Sequence, residues 1–306
     1  MSLKQKEEIT IWAFKDGKKG HEKQVEALIS EFTLFKKVKL YEFNAWETHN
    51  SVPDIIIGAG NNTHKHILKA KKEYPLAKTI VLMKPSLRPT QWFDIAIVPD
   101  MDRYYLGKPK NVITTKGVLS KYSDLATKPK TGLIIIGGKS RHYHFRKKVV
   151  KQQIEWLLND VFQDYQWKIT TSPRSPNLDI PKHSKNAKFF SWKDTDEGWL
   201  SEEIKQSEIT FLTPESVSVL YEGLSTNTKV YVFHHEHHTA DQHGSKRKTK
   251  VTRNIDKLKL QGQIGYIDSK RYLLSRSIKS ADLIHPQFSE PLNETKRVVE
   301  KLFEIL

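Results

Sequence analysis

Cysteine is absent from the 306 residues of this chain. The absence excludes a disulfide framework and zinc sites with cysteine ligands, and it agrees with a reducing compartment. The opening residues, MSLKQKEEITIW, carry charges where a signal peptide needs an apolar stretch, and no later apolar run approaches the length of a membrane span. We therefore expect a cytoplasmic protein, or one attached peripherally to the inner face of a membrane.

Acidic residues are scarce relative to basic ones, since 51 Lys and Arg stand against 35 Asp and Glu and give a formal charge of +16. Such an excess favours anionic partners, namely nucleotide phosphates, an anionic membrane or nucleic acid. The basic residues are spread over several predicted helices, as on an ordinary solvated surface, and no nucleic-acid recognition motif accompanies them. We therefore expect no nucleic-acid partner, while phosphate compounds and peripheral contact with an anionic membrane stay open.

Two common site signatures are also missing. The histidines between His234 and His243 lack the spacing of an HExxH or zinc motif, so the sequence predicts a polar surface loop from 234 to 254 and no bound metal. The turn Gly58-Ala59-Gly60 resembles a dinucleotide-binding fingerprint, but the third glycine is missing. Because the complete GxGxxG with a downstream acidic residue for the ribose is absent, an NAD-dependent epimerase or dehydrogenase is disfavoured.

What the sequence does contain is a regular alternation of short apolar strands and segments with helical spacing, on both sides of residue 130. The strands are apolar throughout, which is typical of parallel sheets covered on both faces. The pattern predicts an α/β protein with two doubly wound domains. We assign residues 1–127 to the first domain, 128–285 to the second, and 286–306 to a C-terminal amphipathic helix.

Three connections combine a strand end with small or polar residues and a helix start. Residues 133–145, LIIIGGKSRHYHF, predict a strand, a tight turn of phosphate size and a helix. Residues 15–21 place glycines between a strand and a helix, and Thr213 with Pro214 predicts a capped helix that begins at Pro214. Backbone N–H groups at such helix starts attract anions, so these connections are candidate phosphate or substrate sites.

Seven segments resemble, in order, those of the mitochondrial fission ELM-type family of plants and bacteria. They are DGKKGHEKQ (16–24), PDIIIGAGNNT (53–63), FDIAIVPDMD (93–102), NVITTKG (111–117), LIIIGG (133–138), TTSPRSP (170–176) and TPESVSVLYEG (213–223). The family is regarded as glycosyltransferases of the GT-B class. The resemblance implies two Rossmann-like domains facing across a cleft, with the acceptor on the first, a nucleoside diphosphate sugar on the second, and the C-terminal helix crossing back to the first.

The resemblance also implies a metal-independent transfer with no cofactor, in which positive charge and helix N-termini stabilise the leaving diphosphate. The alternative is a non-catalytic scaffold of the same fold that binds a nucleotide or a membrane partner, in line with the fission role of plant relatives. The chain departs from the family pattern at 213–216, where Thr-Pro-Glu-Ser replaces the usual Thr-Ala-Asp-Ser, and at 221–223, where Tyr-Glu-Gly replaces Ser-Glu-Ala.

Individual roles follow from the same resemblance. His21 is expected to take the proton of an attacking hydroxyl, although a helix-start histidine can also serve only the loop. Asp16 is expected either to orient His21 or to cap the turn. Glu222 is expected on the donor ribose, the alternative being an exposed helix glutamate. The other nucleotide-sugar contacts are expected from Gly137, Gly138, Lys139, Ser140, Arg141, Arg174, Thr213, Glu215, Ser216 and Ser218. Acceptor contacts are expected from Gly17, Gly20, Asn61 and Asn62.

Overall fold

A computed structural model describes residues 5–102, 104, 107–178, 183–238, 248–268, 282–287 and 290–306, without the side chains of His183 and Ser184. The chain divides into two compact units. Unit 1 comprises Met1–Tyr122 and Asn293–Leu306, and unit 2 comprises Ser123–Leu292. No helix in the described part of the chain is long and apolar enough to cross a membrane.

Unit 1 is built on a parallel sheet. Its strands are β1 (Glu8–Phe14), β2 (Lys37–Phe43), β3 (Ile55–Ala59), β4 (Lys78–Leu82), β5 (Ile95–Pro99) and β6 (Val112–Thr115), with helices α1 (Lys19–Phe35) and α2 (His64–Glu73) between them and a short 3-10 turn at Thr90–Trp92. The strand order is β2-β1-β3-β4-β5-β6, and every neighbouring pair is parallel. The apolar strands β3 and β5 are buried along their whole length, as expected for a sheet covered on both faces.

Unit 2 is built on a larger mixed sheet. Its strands are β7 (Lys128–Ile136), β8 (Gln166–Thr171), β9 (His183–Ser184), β10 (Ala187–Phe190), β11 (Ser207–Leu212), β12 (Lys229–Val232), β13 (Gly265–Asp268) and β14 (Asp282–Ile284). The helices are α3 (Lys147–Trp156), which continues as a π-helical turn at Leu157–Val161, α4 (Trp199–Gln206), α5 (Val217–Leu224) and α6 (Lys250–Leu260). The order is β14-β13-β12-β11-β7-β8-β10-β9, parallel except for the two outermost pairs.

The last helix, α7 (Glu294–Ile305), belongs to unit 1. The side chain of Asn293 caps its start by accepting a hydrogen bond from the backbone N–H of Lys296 at 3.2 Å. Val298, Val299 and Leu302 are buried in the same core cluster as α1. The predicted fold, with two Rossmann-like sheets and a C-terminal helix that returns to the first, is therefore confirmed.

Three predicted boundaries in unit 2 are wrong. Strand β7 begins at Lys128 rather than at residue 133, because Ser207 of β11 pairs with Lys128 across an irregular register. No helix follows the glycine pair directly, since α3 begins only at Lys147. The polar loop predicted as far as residue 254 ends earlier, because Val251, Ile255 and Leu258 bury one face of α6.

Candidate functional site

Each sheet has one pair of neighbouring strands whose following connections run in opposite directions along the sheet. In unit 1 this place is between β1 and β3, because β2 lies on the far side of β1. In unit 2 it is between β7 and β11, because β8 lies on the far side of β7. Open α/β sheets bind ligands at the carboxyl ends of such strand pairs. The residues that follow these four strands are therefore the candidate site residues of each unit.

In unit 2, a glycine pair after β7 lies directly against the segment after β11. The N–H of Gly137 donates to Thr213 Oγ1 at 2.8 Å, and the N–H of Gly138 donates to Glu215 Oε1 at 2.8 Å. The Thr213 hydroxyl donates in turn to Glu215 Oε1 at 3.0 Å. A Cβ atom on Gly137 would stand 1.8 Å from Glu215 Oε1. Glycine is required here because the carboxylate occupies the space of a side chain.

The Glu215 carboxyl group has unused hydrogen-bonding capacity. The residue is 7% exposed, and its second oxygen, Oε2, is buried without a hydrogen-bond partner in the described structure. Burial raises the pKa of Glu215, against the opposing hydrogen bonds from backbone N–H groups, including that of Gly138, and from the Thr213 hydroxyl. The Tyr143 hydroxyl is also buried without such a partner, and burial together with the charges of Asp256 and Glu215 raises its pKa. Buried polar groups are normally hydrogen-bonded, so this interior is suited to receive a further polar group.

Arg174 reaches the same glycine pair from the end of β8. A Cβ atom on Gly138 would stand 1.9 Å from the carbonyl oxygen of Arg174. Ser175 fixes this turn, because its hydroxyl donates to the Ile136 carbonyl at 2.6 Å and accepts from the Ser172 N–H at 2.7 Å. The Arg174 residue is exposed, and its charge acts to lower the pKa of Glu215. The structure thus brings together a cation, two glycine N–H groups and a buried carboxyl group.

The other predicted donor contacts lie in the same two connections. Lys139 and Arg141 are exposed. Ser140 is engaged locally, because its hydroxyl accepts from the N–H groups of His142 at 3.1 Å and Tyr143 at 3.2 Å.

The predicted start of the next helix is wrong. α5 begins at Val217, with Ser216 as its N-cap residue and Ser218 in its first turn. Thr213 does not cap this helix, because its hydroxyl is bonded to Gly137 and Glu215.

Glu222 lies on α5, one to two turns from its start, and accepts a hydrogen bond from the hydroxyl of Ser201 on α4. The contact orients the carboxylate from a neighbouring helix. A role of Glu222 on the donor ribose stays a prediction, as do the donor roles of the other residues named above.

In unit 1, His21 and Asp16 form a hydrogen-bonded pair after β1. The two atoms His21 Nδ1 and Asp16 Oδ2 are 2.9 Å apart, and the side chains are 19% and 1% exposed. Asp16 Oδ1 also accepts from the N–H of Lys18 at 3.1 Å, which fixes the carboxylate. When Nδ1 donates to Asp16, the neutral ring has its lone pair on Nε2, and that nitrogen can accept a proton.

Gly60 makes room for this pair from the end of β3. Its φ of +82° lies in the left-handed region, and a Cβ atom would stand 2.5 Å from His21 Nδ1 and 3.1 Å from Asp16 Oδ2. The glycines of the incomplete dinucleotide fingerprint thus serve close packing here, since Gly58 makes similar room for the Thr63 side chain. A histidine oriented by a carboxylate is an arrangement suited to general base catalysis.

The predicted acceptor residues surround the same strand ends. Gly17 has a φ of +77° and donates from its N–H to Glu22 Oε1 at 3.1 Å. The Gly20 carbonyl accepts from the side-chain amide of Gln24 at 2.9 Å. Asn61 makes two hydrogen bonds to Ser86, at 2.6 Å and 3.1 Å, and so joins the connections after β3 and β4, while Asn62 is exposed. Their contact with an acceptor stays a prediction.

Some residues of these sites were missed in the sequence. The packing role of Gly60 was not predicted, although a glycine directly after a buried strand signals close backbone approach. The hydrogen-bonded turn at Ser172 and Ser175 was not predicted, although serines three apart around a proline are typical of such a turn. In the described residues, no group of three or more His, Asp or Glu is placed to hold a metal ion, and His243 of the predicted histidine cluster lies outside those residues.

A comparison of the sequence with models of protein families shows to which family the chain belongs. A family model described as Mitochondrial fission ELM1 matches residues 17–306. The chain belongs to the mitochondrial fission ELM1 family. Its predicted membership is thereby confirmed. No curated protein matches the sequence.

Solved structures share the fold of this family member. The glycosyltransferase of kitacinnamycin is 8% identical over 97% of this chain and 96% of its own, with a TM-score of 0.51. Spinosyn forosaminyltransferase is 8% identical over 96% of this chain and 95% of its own, with a TM-score of 0.53. At this identity the likeness shows the fold alone, which is that of GT-B glycosyltransferases.

Proposed function

We propose that the protein is a glycosyltransferase that moves a sugar from a nucleoside diphosphate sugar to an acceptor hydroxyl without a metal ion. The observation that carries the proposal is the glycine pair after β7, which is fixed to Thr213 and Glu215 with Arg174 beside it. This constellation stands at the position where an open α/β sheet binds its ligand.

The donor half of the reaction is assigned to unit 2. A diphosphate carries negative charge, which increases on the leaving oxygen as the bond to the sugar breaks. Lys139, Arg141 and Arg174 supply exposed positive charge next to the glycine pair. The start of α5, with Ser216 and Ser218, supplies N–H groups of the kind that bind phosphate. Glu222 accepts hydrogen bonds from the donor ribose.

The proton of the acceptor is assigned to His21 in unit 1. The acceptor oxygen attacks the anomeric carbon, the bond from that carbon to the diphosphate oxygen breaks, and the hydroxyl proton passes to Nε2 of His21. Asp16 holds the ring through Nδ1 and stabilises the imidazolium that forms. Gly17, Gly20, Asn61 and Asn62 contact the acceptor in this proposal.

A binding experiment tests the donor half. Nucleoside diphosphates of different bases are titrated into the protein by calorimetry, in the presence and absence of EDTA. We expect binding that survives EDTA, and Arg174→Ala is expected to weaken it by about 1.5 to 3 kcal/mol, the range for hydrogen bonds to charged groups. Lys148→Ala, which removes an exposed cation from α3, is the control and leaves the affinity unchanged. Equal losses in the two variants contradict the donor site.

A kinetic experiment tests catalysis against a non-catalytic scaffold. The purified protein is incubated with the nucleotide sugar that binds best, and release of the nucleoside diphosphate is followed with water or added alcohols as acceptor. His21→Ala and Asp16→Asn are expected to lower the rate by about 10²- to 10⁴-fold without changing the donor affinity. A donor that binds but is never consumed supports the scaffold instead.

A further inference from the structure

A cavity of about 210 Å³ opens in unit 2 at the amino ends of the strands, whereas the glycine pair lies at the carboxyl end of β7. It is lined by the first residues of β7, β8, β10 and β11 and by the last turn of α4. Strand β7 has nine residues, from Lys128 at the cavity to Ile136, which directly precedes Gly137. The lining of β7 extends from Lys128 to Gly132, so at about 3.3 Å per residue the cavity is roughly 16 to 30 Å from Gly137. Its lysines are Lys128, Lys168, Lys185 and Lys188.

The cavity concentrates positive charge. Lys168 and Lys188 are paired in register on neighbouring parallel strands, so their side chains extend from the same face of the sheet. Like charges in such a pair destabilise a sheet. The carboxylate in the lining is Glu203, whose Oε1 lies 2.6 Å from Lys168 Nζ. The side chain of Lys188 has no hydrogen bond or ion pair in the part of the chain that the structure describes, so the repulsion is only partly offset.

The two remaining lysines add to the excess. Lys128 Nζ donates to the neutral side-chain oxygen of Gln206 at 2.6 Å, which leaves its charge uncompensated. Lys185 is exposed, and among the described residues its side chain has neither a hydrogen bond nor an ion pair. The lining thus sets four ammonium groups against one carboxylate. Such a cavity is electrostatically incomplete, and a bound anion would remove the repulsion between Lys168 and Lys188.

We propose that this cavity binds a small phosphate-bearing anion. Ammonium groups bind phosphate oxygens as point charges from several directions, so they do not need the fixed fork geometry of an arginine. Ala187, the Gly132 backbone and the aliphatic parts of the lysines give the walls an apolar portion that accommodates a compact organic body. The site is separate from the proposed donor site, and it does not depend on whether the protein transfers sugars.

The first experiment measures binding by calorimetry, with inorganic pyrophosphate and glucose 6-phosphate as probes and glucose as the uncharged control. The ionic strength is held near 0.15 M, where screening over about 8 Å suppresses weak attraction to the general surface. We expect both phosphate compounds to bind and glucose not to bind. The double variant Lys185→Ala/Lys188→Ala is expected to weaken both by at least about tenfold, because each lost contact to a charged group is worth that factor or more.

Two controls separate this site from other cations. Lys147→Ala/Lys148→Ala removes the same charge from the exposed start of α3 and is expected to change the affinity less than about twofold. Arg174→Ala tests whether the probe binds at the proposed donor site instead. Equal loss in both lysine double variants overturns the proposal, as does a loss of glucose 6-phosphate binding in Arg174→Ala alone. Failure of both phosphate probes to bind overturns it as well.

A second measurement keeps the proposal testable if the double variant folds poorly. Lys188→Gln removes one charge and keeps a polar side chain of similar length. The ligand-free variant is expected to have a higher melting temperature than the wild type, because the repulsion with Lys168 is gone. The same variant is expected to show a smaller rise in melting temperature with 5 mM pyrophosphate. A lower melting temperature without ligand, or an unchanged response to pyrophosphate, contradicts the proposal.

Discussion

The backbone N–H of Gly138 donates a hydrogen bond at 2.8 Å to Oε1 of Glu215, a carboxyl group whose other oxygen is buried without a partner in the described structure. The bond joins residues 77 positions apart in the sequence. Burial raises the pKa of this carboxyl group, so the folded protein holds its proton to a higher pH than the unfolded chain does. The stability of the contact between the glycine pair and Glu215 therefore depends on pH.

The first prediction concerns Glu215→Gln. The raised pKa gives a stabilisation that is complete below the unfolded value of about 4.3 and is lost as the pH rises through the folded pKa. Across that window, the free energy of unfolding of the wild type should fall relative to that of the variant. Glutamine keeps an acceptor for Gly138 but does not titrate. Urea unfolding at a series of pH values measures the difference.

Glu294→Gln is the control for that experiment, with the opposite sign. Burial of Glu294 acts to raise its pKa, but hydrogen bonds from Arg297 and from the Lys116 N–H, with the charges of both residues, hold it below the ordinary value. Its stabilisation is present above the unfolded pKa and is lost as the pH falls through the folded pKa. A difference for Glu215→Gln that is flat with pH, or that follows Glu294→Gln, contradicts the first prediction.

The second prediction concerns Thr213, whose hydroxyl accepts from Gly137 and donates to Glu215. Thr213→Val keeps the shape and leaves the Gly137 N–H without its acceptor, so it should destabilise unit 2 by about 1 to 3 kcal/mol. Thr213→Ser retains the hydroxyl and should cost only about 1 kcal/mol for the lost methyl group. Denaturant unfolding compares them. Should the two variants be equally stable, the hydroxyl does not fix the glycine pair.

The third prediction concerns Gly60→Ala. The new Cβ atom would stand 2.5 Å from His21 Nδ1 at a φ of +82°, so both backbone strain and displacement of the imidazole are expected. Gly107→Ala is the matched control, because it has a φ of +90° and no heavy atom within 4 Å of a new Cβ. The strain of about 1 to 2 kcal/mol is common to both variants, while the clash adds about 1 to 3 kcal/mol for Gly60→Ala alone.

Unfolding free energies and the ring signals of His21 in NMR spectra measure these effects. A shift of the His21 signals is expected in Gly60→Ala and not in Gly107→Ala. Equal destabilisation with unchanged His21 signals in both variants would show that glycine is needed at position 60 only for its positive φ and not to make room for His21.

The fourth prediction concerns α7. Leu302 is 1% exposed and packs in the core of unit 1, so Leu302→Ala should cost about 2 to 5 kcal/mol. Ile305, one turn later on the same helix, is 55% exposed, and Ile305→Ala should change stability by less than about 0.5 kcal/mol. Thermal or denaturant unfolding distinguishes them. Similar effects of the two substitutions would mean that α7 does not contribute to the core in this way.

Much of the fold could be predicted because its signals are local. The continuous apolar strands, such as β3 and β5, stand out against polar surroundings, and the spacing of Val298 and Leu302 identifies α7. The start of α6 was not predicted, because the segment after His234 is polar, although Val251, Ile255 and Leu258 have helical spacing. The polar composition of this segment favours a loop, but its apolar spacing favours a helix, and the helix forms because that face is buried.

The candidate sites were less predictable because their decisive contacts join distant segments. Thr213 has every local feature of a helix cap, yet its hydroxyl is bonded to Gly137, 76 residues away. A tertiary hydrogen bond thus overrode a local preference, and it moved the helix start to Val217. The same holds for Gly60, because nothing near it in the sequence shows that His21 occupies the space beside it.

The position of α7 in the chain has a consequence for biosynthesis. Leu28 and Phe32 of α1 share a core cluster with Val298 and Leu302, and residues 123–292 are synthesised between them. At about 5 to 20 residues per second, the ribosome needs on the order of ten to thirty seconds to make that intervening stretch. During this interval the nascent unit 1 exposes the apolar surface that α7 later covers, while the whole of unit 2 is synthesised. The core of unit 1 is therefore completed only after the whole of unit 2 has been synthesised.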